Sequence, residues 1–179
     1  MLSRRRFIQA GIGGGAILLV IRAAYGPFSA DPEIAEDREF AYAVLGPKEQ
    51  TILRAVAPVI LAGALPDEPV ERQRALLQVI RGVDTAVSGL PPAVQDELAQ
   101  LFALLGFPVT RRLLAGVKPP WLQASSVQIA SFLDSWRASR FALLRGAYRA
   151  LQELTMAAWY GNEASWSRIG YPGPPALAG

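Results

Sequence analysis

The longest periodic stretch of this sequence is SSVQIASFLDSWRASRFALLRGAYRALQELTMAAW, residues 125–159. Ser125 and Gln128 have the spacing of a capping box, which satisfies unpaired donors at a helix N-terminus. Apolar residues then recur every three or four positions, as on the buried face of an α-helix. The pattern predicts one long helix with a bend at Ser139 or Gly146. Its core face is expected to consist of Ile129, Phe132, Trp136, Leu143, Ala147, Leu151 and Leu154.

Four shorter helical patterns precede this stretch, and they begin at Pro47, Pro69, Pro92 and Pro108. Proline is favoured in the first turn of a helix, where its missing amide hydrogen is not needed. Pro58 is expected to kink or end the first pattern, and Gly89 to end the second. No stretch alternates polar and apolar residues for long enough to predict a strand. The core faces of these helices are expected to contain Ile52, Val56, Val59, Ile60, Leu76, Leu77, Ile80, Val83, Val87, Val94, Leu98, Leu101, Phe102 and Leu105.

The predicted fold class is all-α, a small bundle of about five helices in a chain of single-domain size. An N-terminal signal or anchor helix precedes the bundle, and an extended tail rich in aromatic residues and proline follows it. The predicted organisation is a signal or anchor over 1–30, a linker over 31–45, a helical domain over 46–160 and a tail over 161–179.

The residue types that the chain lacks exclude several kinds of chemistry. It contains no cysteine and no histidine. Disulfides, thiolate nucleophiles, iron–sulfur ligation and covalently attached haem all need cysteine. Ser-His-Asp catalysis, imidazole zinc sites and His-ligated haem all need histidine. We therefore expect no catalytic, cofactor-binding or metal-binding residue in this chain.

The net charge of +3 does not indicate a nucleic-acid-binding protein. Four of the 18 Lys and Arg residues lie in residues 1–30, which hold no acid, so 14 remain to face all 15 Asp and Glu residues. A duplex-binding protein needs a basic surface that neutralises several phosphates. We expect no nucleic-acid partner.

The first thirty residues have the features of an export signal. SRRRFI at residues 3–8 matches the twin-arginine pattern, in which Ser or Thr precedes two arginines, a free position, Phe and an apolar residue. The glycine-diluted apolar stretch that follows is typical of such signals. Passage through the twin-arginine translocase and a periplasmic location are therefore predicted, and the alternative is an ordinary secretory signal or a membrane anchor. The predicted signal residues are Ser3, Arg4, Arg5, Phe7 and Ile8.

The fate of this leader is left open by the sequence. Ala24 and Gly26 fit the small residues that precede a cleavage site, but Pro27 would follow the cut and is unfavourable there. The apolar stretch at 7–21 is shorter than the roughly 20 residues that span a bilayer, although Arg22 can extend its reach by snorkelling. A leader that is kept would hold the protein at the membrane.

Four arginines fall along the predicted long helix at spacings that put several on one side: Arg137, Arg140, Arg145 and Arg149. Such a row can bind a partner's carboxylates or a phosphate through paired hydrogen bonds. The commoner arrangement is a solvated face that pairs loosely with Asp134 or Glu153. Glu36, Asp37 and Glu39 lie in the linker with no apolar pocket around them, so we expect them to be solvated charges.

The C-terminal tail is the most distinctive part of the sequence. Trp159, Tyr160, Trp166 and Tyr171 stand there among Gly, Pro and Asn. Gly and Pro predict that the chain leaves the long helix in turns and extended segments, whose backbone groups must find partners elsewhere. Trp and Tyr supply much of the binding energy at protein interfaces. The tail is therefore expected either to dock on another subunit or to fold back over its own helices.

These motifs together resemble the gluconate 2-dehydrogenase subunit 3 family, the small twin-arginine-bearing subunits of membrane-bound flavin dehydrogenases. LGPKE at 45–49 and LPP at 90–92 fit the layout of that family, whereas LPDE at 65–68 is shifted from the family's pattern, so no site is inferred there. The resemblance covers most of residues 1–175, and its most specific motifs are WRASR at 136–140, WYGN at 159–162, Trp166 and IGYPGP at 169–174.

The resemblance implies an accessory role beside a large FAD-dependent subunit of the glucose–methanol–choline oxidoreductase type. In that family the large subunit has no export signal of its own, and a multihaem cytochrome c, which carries haem c, is often a third subunit. FAD would then lie in the partner, with no cofactor in this chain. The tail chemistry and the resemblance together indicate partner binding by Trp136, Arg137, Arg140, Trp159, Tyr160, Asn162, Trp166, Gly170, Tyr171, Pro172, Gly173 and Pro174.

The expected function is that of a non-catalytic subunit that exports and then stabilises a flavoprotein dehydrogenase at the periplasmic face of the membrane. The main alternative is a free-standing periplasmic binding or scaffold domain for a small apolar ligand. A third is an enzyme that works with carboxylates, tyrosines or lysines alone.

Overall fold

The computed structural model describes residues 37, 39–163, 165, 166, 170 and 172. These residues form six α-helices and one short 3₁₀ turn, and no strand is found among them. The predicted all-α fold class is confirmed. In chain order the elements are α1 (Pro47–Ile60), α2 (Pro69–Ser88), α3 (Pro92–Gly106), α4 (Pro108–Leu114), the 3₁₀ turn (Trp121–Gln123), α5 (Ser126–Arg137) and α6 (Ala142–Tyr160).

The first four helices start at the predicted prolines, and local side chains cap two of the helices. The Glu68 carboxylate accepts the amides of Glu71 at 2.6 Å and Val70 at 3.1 Å. These hydrogen bonds from the start of α2 lower the pKa of Glu68. At α5 the Ser125 amide donates to the Gln128 side chain at 2.9 Å, and the Gln128 amide donates to the Ser125 hydroxyl at 3.3 Å. The predicted capping box is therefore confirmed.

The prediction of one helix over 125–159 is wrong, because a non-helical link over residues 138–141 separates α5 from α6. Ser139 is one of the two positions at which a bend was expected. Its hydroxyl accepts the amide of Phe141 at 3.2 Å, and its carbonyl accepts an N–H of the Arg145 guanidinium at 2.7 Å. Phe141 has an extended backbone. Local side-chain hydrogen bonds thus replace the helical ladder at this point.

The buried face also changes at this break. Leu143, predicted in the core, is 79% exposed, because the non-helical link interrupts the rotation that a continuous helix would keep. Val94, in the first turn of α3, is exposed as well. Ala147 and Leu154 are half-buried against the core. The fully buried members of the predicted face are Ile129, Phe132, Trp136 and Leu151.

Helix α1 lies at the centre of the bundle, where it contacts α2, α3, α5, α6 and the 3₁₀ turn. The most extensive helix pair is α2 with α6. These two helices meet at Gly82, where an added Cβ atom would lie 3.0 Å from the Cβ and 3.3 Å from the Cα of Ala158. Glycine therefore permits this close approach. The fully buried residues of α1 are Ile52, Leu53, Val56 and Ala57.

Three aromatic residues connect the ends of α3, α4 and α5. Phe132 makes edge-to-face contacts with Trp121 and Trp136, with ring centroids 5.7 and 4.8 Å apart. The Trp121 indole N–H donates to the Leu105 carbonyl at 3.0 Å, and that of Trp136 donates to the Leu114 carbonyl at 2.8 Å. Trp136 is thereby held in the core between α4 and α5.

Candidate functional site

Two groups of predicted site residues lie outside the described part of the chain. One is the export signal: Ser3, Arg4, Arg5, Phe7 and Ile8. The other belongs to the tail: Tyr171, Gly173 and Pro174. Within the residues that the structure describes, no helix is both long and apolar enough to span a bilayer.

Two adjacent aromatic residues at the end of α6 have different environments. Trp159 is buried in the core, and its indole N–H has no hydrogen-bond partner among the described residues. The Thr155 hydroxyl, one turn earlier, is also buried and also has no hydrogen-bond partner among the described residues. Tyr160 is exposed. Of these two residues, Tyr160 is on the surface and Trp159 packs in the interior.

Beyond α6 the chain turns back toward the helix. The Asn162 amide donates to the Trp159 carbonyl at 3.2 Å, and the amide and hydroxyl of Ser165 donate to the Asn162 carbonyl at 2.9 and 2.7 Å. The Trp166 indole N–H donates to the Tyr160 carbonyl at 2.9 Å. These hydrogen bonds are local, and they form turns of the kind in which the chain was predicted to leave the helix.

A few residues of the tail that the structure describes lie at or near the surface. Gly170 has a φ of 68°, which suits glycine because a side chain would strain this backbone. Gly170 and Pro172 are exposed, and Asn162 and Trp166 are half-buried. We call Tyr160, Asn162 and Trp166 the tail face.

The arginines that the sequence placed in one row are divided by the break between α5 and α6. Arg137 ends α5 and pairs with Asp134 at an N···O distance of 3.0 Å. Arg140 lies in the link, where its guanidinium carbon is 4.8 Å from the centre of the Phe141 ring. Arg145 lies in α6. The prediction of one row along a single helix is therefore wrong, and Arg137 follows the alternative of a solvated pair.

The tail face and the pair Arg137 and Arg140 lie at opposite ends of α6. This helix has 19 residues, and a rise of 1.5 Å per residue gives a length of about 28 Å. A partner that contacts both must extend along the whole of α6. Trp136, which the sequence grouped with these residues, lies in the core instead.

A polar cluster that the sequence did not predict attaches the linker to α2. The Asp37 carboxylate accepts two hydrogen bonds from the Arg81 guanidinium, both at 2.8 Å, and one from the Tyr42 hydroxyl at 3.2 Å. The Asp37 side chain is 5% exposed, so the expectation that it is solvated is wrong. Glu39 is exposed, as expected. No local pattern could reveal the pair, because Arg81 is 44 residues away.

The charges in this cluster reinforce one another. Hydrogen bonds from Arg81 hold the pKa of Asp37 below its usual value. Burial raises the pKa of Tyr42, and the neighbouring negative charge of Asp37 adds to that effect. The hydrogen bonds to Asp37 also raise the pKa of Arg81. Each group keeps its ordinary charge state near neutral pH, which suits a structural pair rather than proton transfer.

A second attachment lies one helical turn further along α2. The buried Asp84 carboxylate accepts three consecutive backbone amides, from Ala43 at 2.9 Å, Val44 at 2.9 Å and Leu45 at 2.8 Å. The segment before α1 is therefore attached to α2 at two places.

No three His, Cys, Asp or Glu side chains within the described ranges lie close enough together to hold a metal ion. Comparisons with profiles of known protein families, with characterised proteins and with solved structures found no significant match. The described surface offers aromatic, apolar and guanidinium groups near the two ends of α6. These are groups that bind other molecules by contact and hydrogen bonding.

Proposed function

We propose that this chain is a non-catalytic subunit that escorts a cofactor-loaded, FAD-dependent alcohol or sugar dehydrogenase through the twin-arginine translocase. After export it stabilises that enzyme at the periplasmic face of the membrane. The observation that carries the proposal is a twin-arginine pattern at residues 3–8 on a chain without histidine or cysteine. A signal for folded cargo on a chain that lacks the usual haem and metal ligands is best explained by a companion that holds the cofactor.

The resemblance to the gluconate 2-dehydrogenase subunit 3 family indicates which type of enzyme the companion is. FAD lies in the large subunit, and haem c lies in a cytochrome subunit where the complex contains one. This chain contributes binding surface only.

The tail face is the surface that we assign to the large subunit. Tyr160 exposes an aromatic ring, and the Trp166 indole donates to the Tyr160 backbone carbonyl, which fixes the Trp166 side chain against the end of α6. Fixed aromatic side chains bind well because little rotamer entropy is lost on contact. Trp136 and Trp159 are excluded from this surface because they are buried.

The experiment is affinity purification of this chain from native membranes by a tag. We expect a yellow protein with the absorption spectrum of FAD to be recovered with it. The double substitution Tyr160→Ala and Trp166→Ala should reduce recovery of the flavoprotein at least about tenfold, since two interface aromatics are removed. Phe107→Ala, at an exposed aromatic between α3 and α4, is the matched control and should leave recovery unchanged.

Export is tested in the same strains. The double substitution Arg4→Lys and Arg5→Lys should leave both proteins in the cytoplasm. Continued export of the flavoprotein would show that it has its own route. Recovery of the tagged chain alone and monomeric would contradict the proposal and favour the free-standing binding or scaffold domain.

A further inference from the structure

Charge is unevenly distributed along the body of this protein. Residues 31–97 contain 12 acidic and six basic side chains. Residues 98–152 contain a single acid, Asp134. Two-thirds of the charges in the first segment are thus negative, whereas the second is strongly cationic. The basic residues of the second segment are Arg111, which is buried, and Arg112, Lys118, Arg137, Arg140, Arg145 and Arg149.

Exposed apolar side chains occur in the same cationic segment. Leu113 and Leu114 are exposed at the end of α4. Phe141 and Leu143 are exposed where α6 begins, and Leu143 is among the most exposed large apolar residues described. Exposed apolar side chains that form a contiguous patch mark sites of interaction with proteins or membranes.

One hydrogen bond connects the two parts of the chain that hold these residues. The Trp136 indole donates to the Leu114 carbonyl at 2.8 Å, which places the end of α4 against the end of α5. Arg137 follows Trp136 directly, and the Arg140 guanidinium lies on the Phe141 ring at 4.8 Å. We call the exposed residues at the ends of α4 and α5 and at the start of α6 the basic–apolar corner: Leu113, Leu114, Arg137, Arg140, Phe141 and Leu143. Within it, Arg137 is paired with Asp134.

This combination of groups matches the chemistry of an anionic lipid surface. Leu and Phe side chains enter the boundary between headgroups and acyl chains, while Arg and Lys stay at the level of the phosphates. Each cation near an anionic leaflet adds to the attraction. Leu143 is the most exposed of these apolar side chains, so it has the most surface to bury in lipid.

We propose that the folded body binds anionic phospholipid membranes directly through the basic–apolar corner. The inference rests on the proposed function only for the presence of a membrane beside the protein. Lipid binding by the corner needs no flavoprotein, so it can be tested and can fail independently of the escort role.

The absence of cysteine from the sequence allows a clean test on the full chain. A cysteine introduced as Leu143→Cys is labelled with NBD, a fluorophore whose emission rises and shifts to the blue on entry into lipid. The matched control is Val70→Cys, which labels an exposed apolar position at the start of α2, beside Glu68 and Glu71. Both proteins carry the same leader, so any contribution of residues 1–30 is common to them.

We expect vesicles of phosphatidylcholine with phosphatidylglycerol to change the emission of the Leu143 probe and not that of the Val70 probe. Vesicles of phosphatidylcholine alone should have a much weaker effect. Arg140→Gln should weaken the response to anionic vesicles about fivefold, as the loss of one surface cation predicts.

Three results would overturn the inference. A Leu143 probe that does not respond to anionic vesicles would show that the corner does not enter lipid. An equal response from both probes would assign the binding to another part of the chain. A response to the flavoprotein but not to vesicles would make the corner a protein interface.

Discussion

Two aspartate–arginine pairs in this protein have similar distances and very different environments. Asp37 and Arg81 approach to 2.8 Å, and their side chains are 5% and 19% exposed. Asp134 and Arg137 approach to 3.0 Å, and their side chains are 67% and 64% exposed. Water and salt screen the second pair but hardly reach the carboxylate of the first. Burial, rather than distance, therefore decides which pair stabilises the fold.

The same contrast separates two regions of the molecule. One turn of α2 contains Arg81, Gly82 and Asp84, which attach the linker and allow α6 to pack closely. The basic–apolar corner has few comparable restraints and keeps its charged and apolar groups in solvent. The first region holds the fold together, and the second is available for binding.

The largest expected effect is that of Asp84→Ala. Removing this buried carboxylate leaves the amides of Ala43, Val44 and Leu45 without their acceptor. We expect the free energy of unfolding to fall by about 3 kcal/mol, measured by urea denaturation followed by circular dichroism. Thr85→Ala, at the exposed neighbouring position, is the control and should change it by about 0.5 kcal/mol or less. Equal effects of Asp84→Ala and Thr85→Ala would show that water accepts the hydrogen bonds of the three amides in the variant.

A smaller effect with a definite pH dependence is expected for Asp37→Asn. Loss of the charged hydrogen bonds to Arg81 should lower the free energy of unfolding by about 1.5 kcal/mol near neutral pH. The pKa of Asp37 is lowered in the folded state, so its contribution is fully present above about pH 5 and is lost as the pH falls through the lowered pKa. Urea titrations of the wild type and the variant at several pH values should therefore converge in acid.

Asp134→Asn is the matched control for that experiment. The exposed pair with Arg137 should contribute less than about 0.5 kcal/mol, with little dependence on pH. If the two substitutions lower the free energy of unfolding equally, burial does not make the Asp37–Arg81 pair more stabilising than the exposed pair.

Effects smaller than that of Asp37→Asn are expected from two glycine substitutions of opposite sign. Gly82→Ala places a methyl group 3.3 Å from the Cα of Ala158, which cannot move without its helix, and should lower the free energy of unfolding by about 1 kcal/mol. Gly146→Ala, with nothing within 4 Å of the added atom, should raise it by about 0.7 kcal/mol through helix propensity. Thermal unfolding curves of the two variants and the wild type would measure both changes. Stabilisation by both would mean that α2 and α6 separate easily.

Local chemistry in the sequence predicted the helix starts well. Pro47, Pro69, Pro92 and Pro108 each begin a helix, because proline is suited to the first turn and to few other helical positions. The capping box at Ser125 was equally visible, since its two residues are three apart and interact within one turn.

Features that depend on distant or competing contacts were not predictable in the same way. The break after α5 contains neither Gly nor Pro, and it forms through the Ser139 hydroxyl and an Arg145 side chain from the next helix. The exposure of Leu143 follows from that break. Asp37 depends on a partner 44 residues away, which no periodicity encodes. The burial of Trp159 likewise follows from helix packing, since Trp alone does not distinguish a core from an interface.

The two attachments of the linker to α2 also determine how the protein would bear mechanical force. Tension that reaches Asp37 from the N-terminal side is passed to Arg81, and from residues 43–45 it is passed to Asp84. Helix α2 is thus loaded before α1, and α2 shares the force with α6, its most extensive neighbour. Under such a load the central helix α1 would be shielded by its two neighbours.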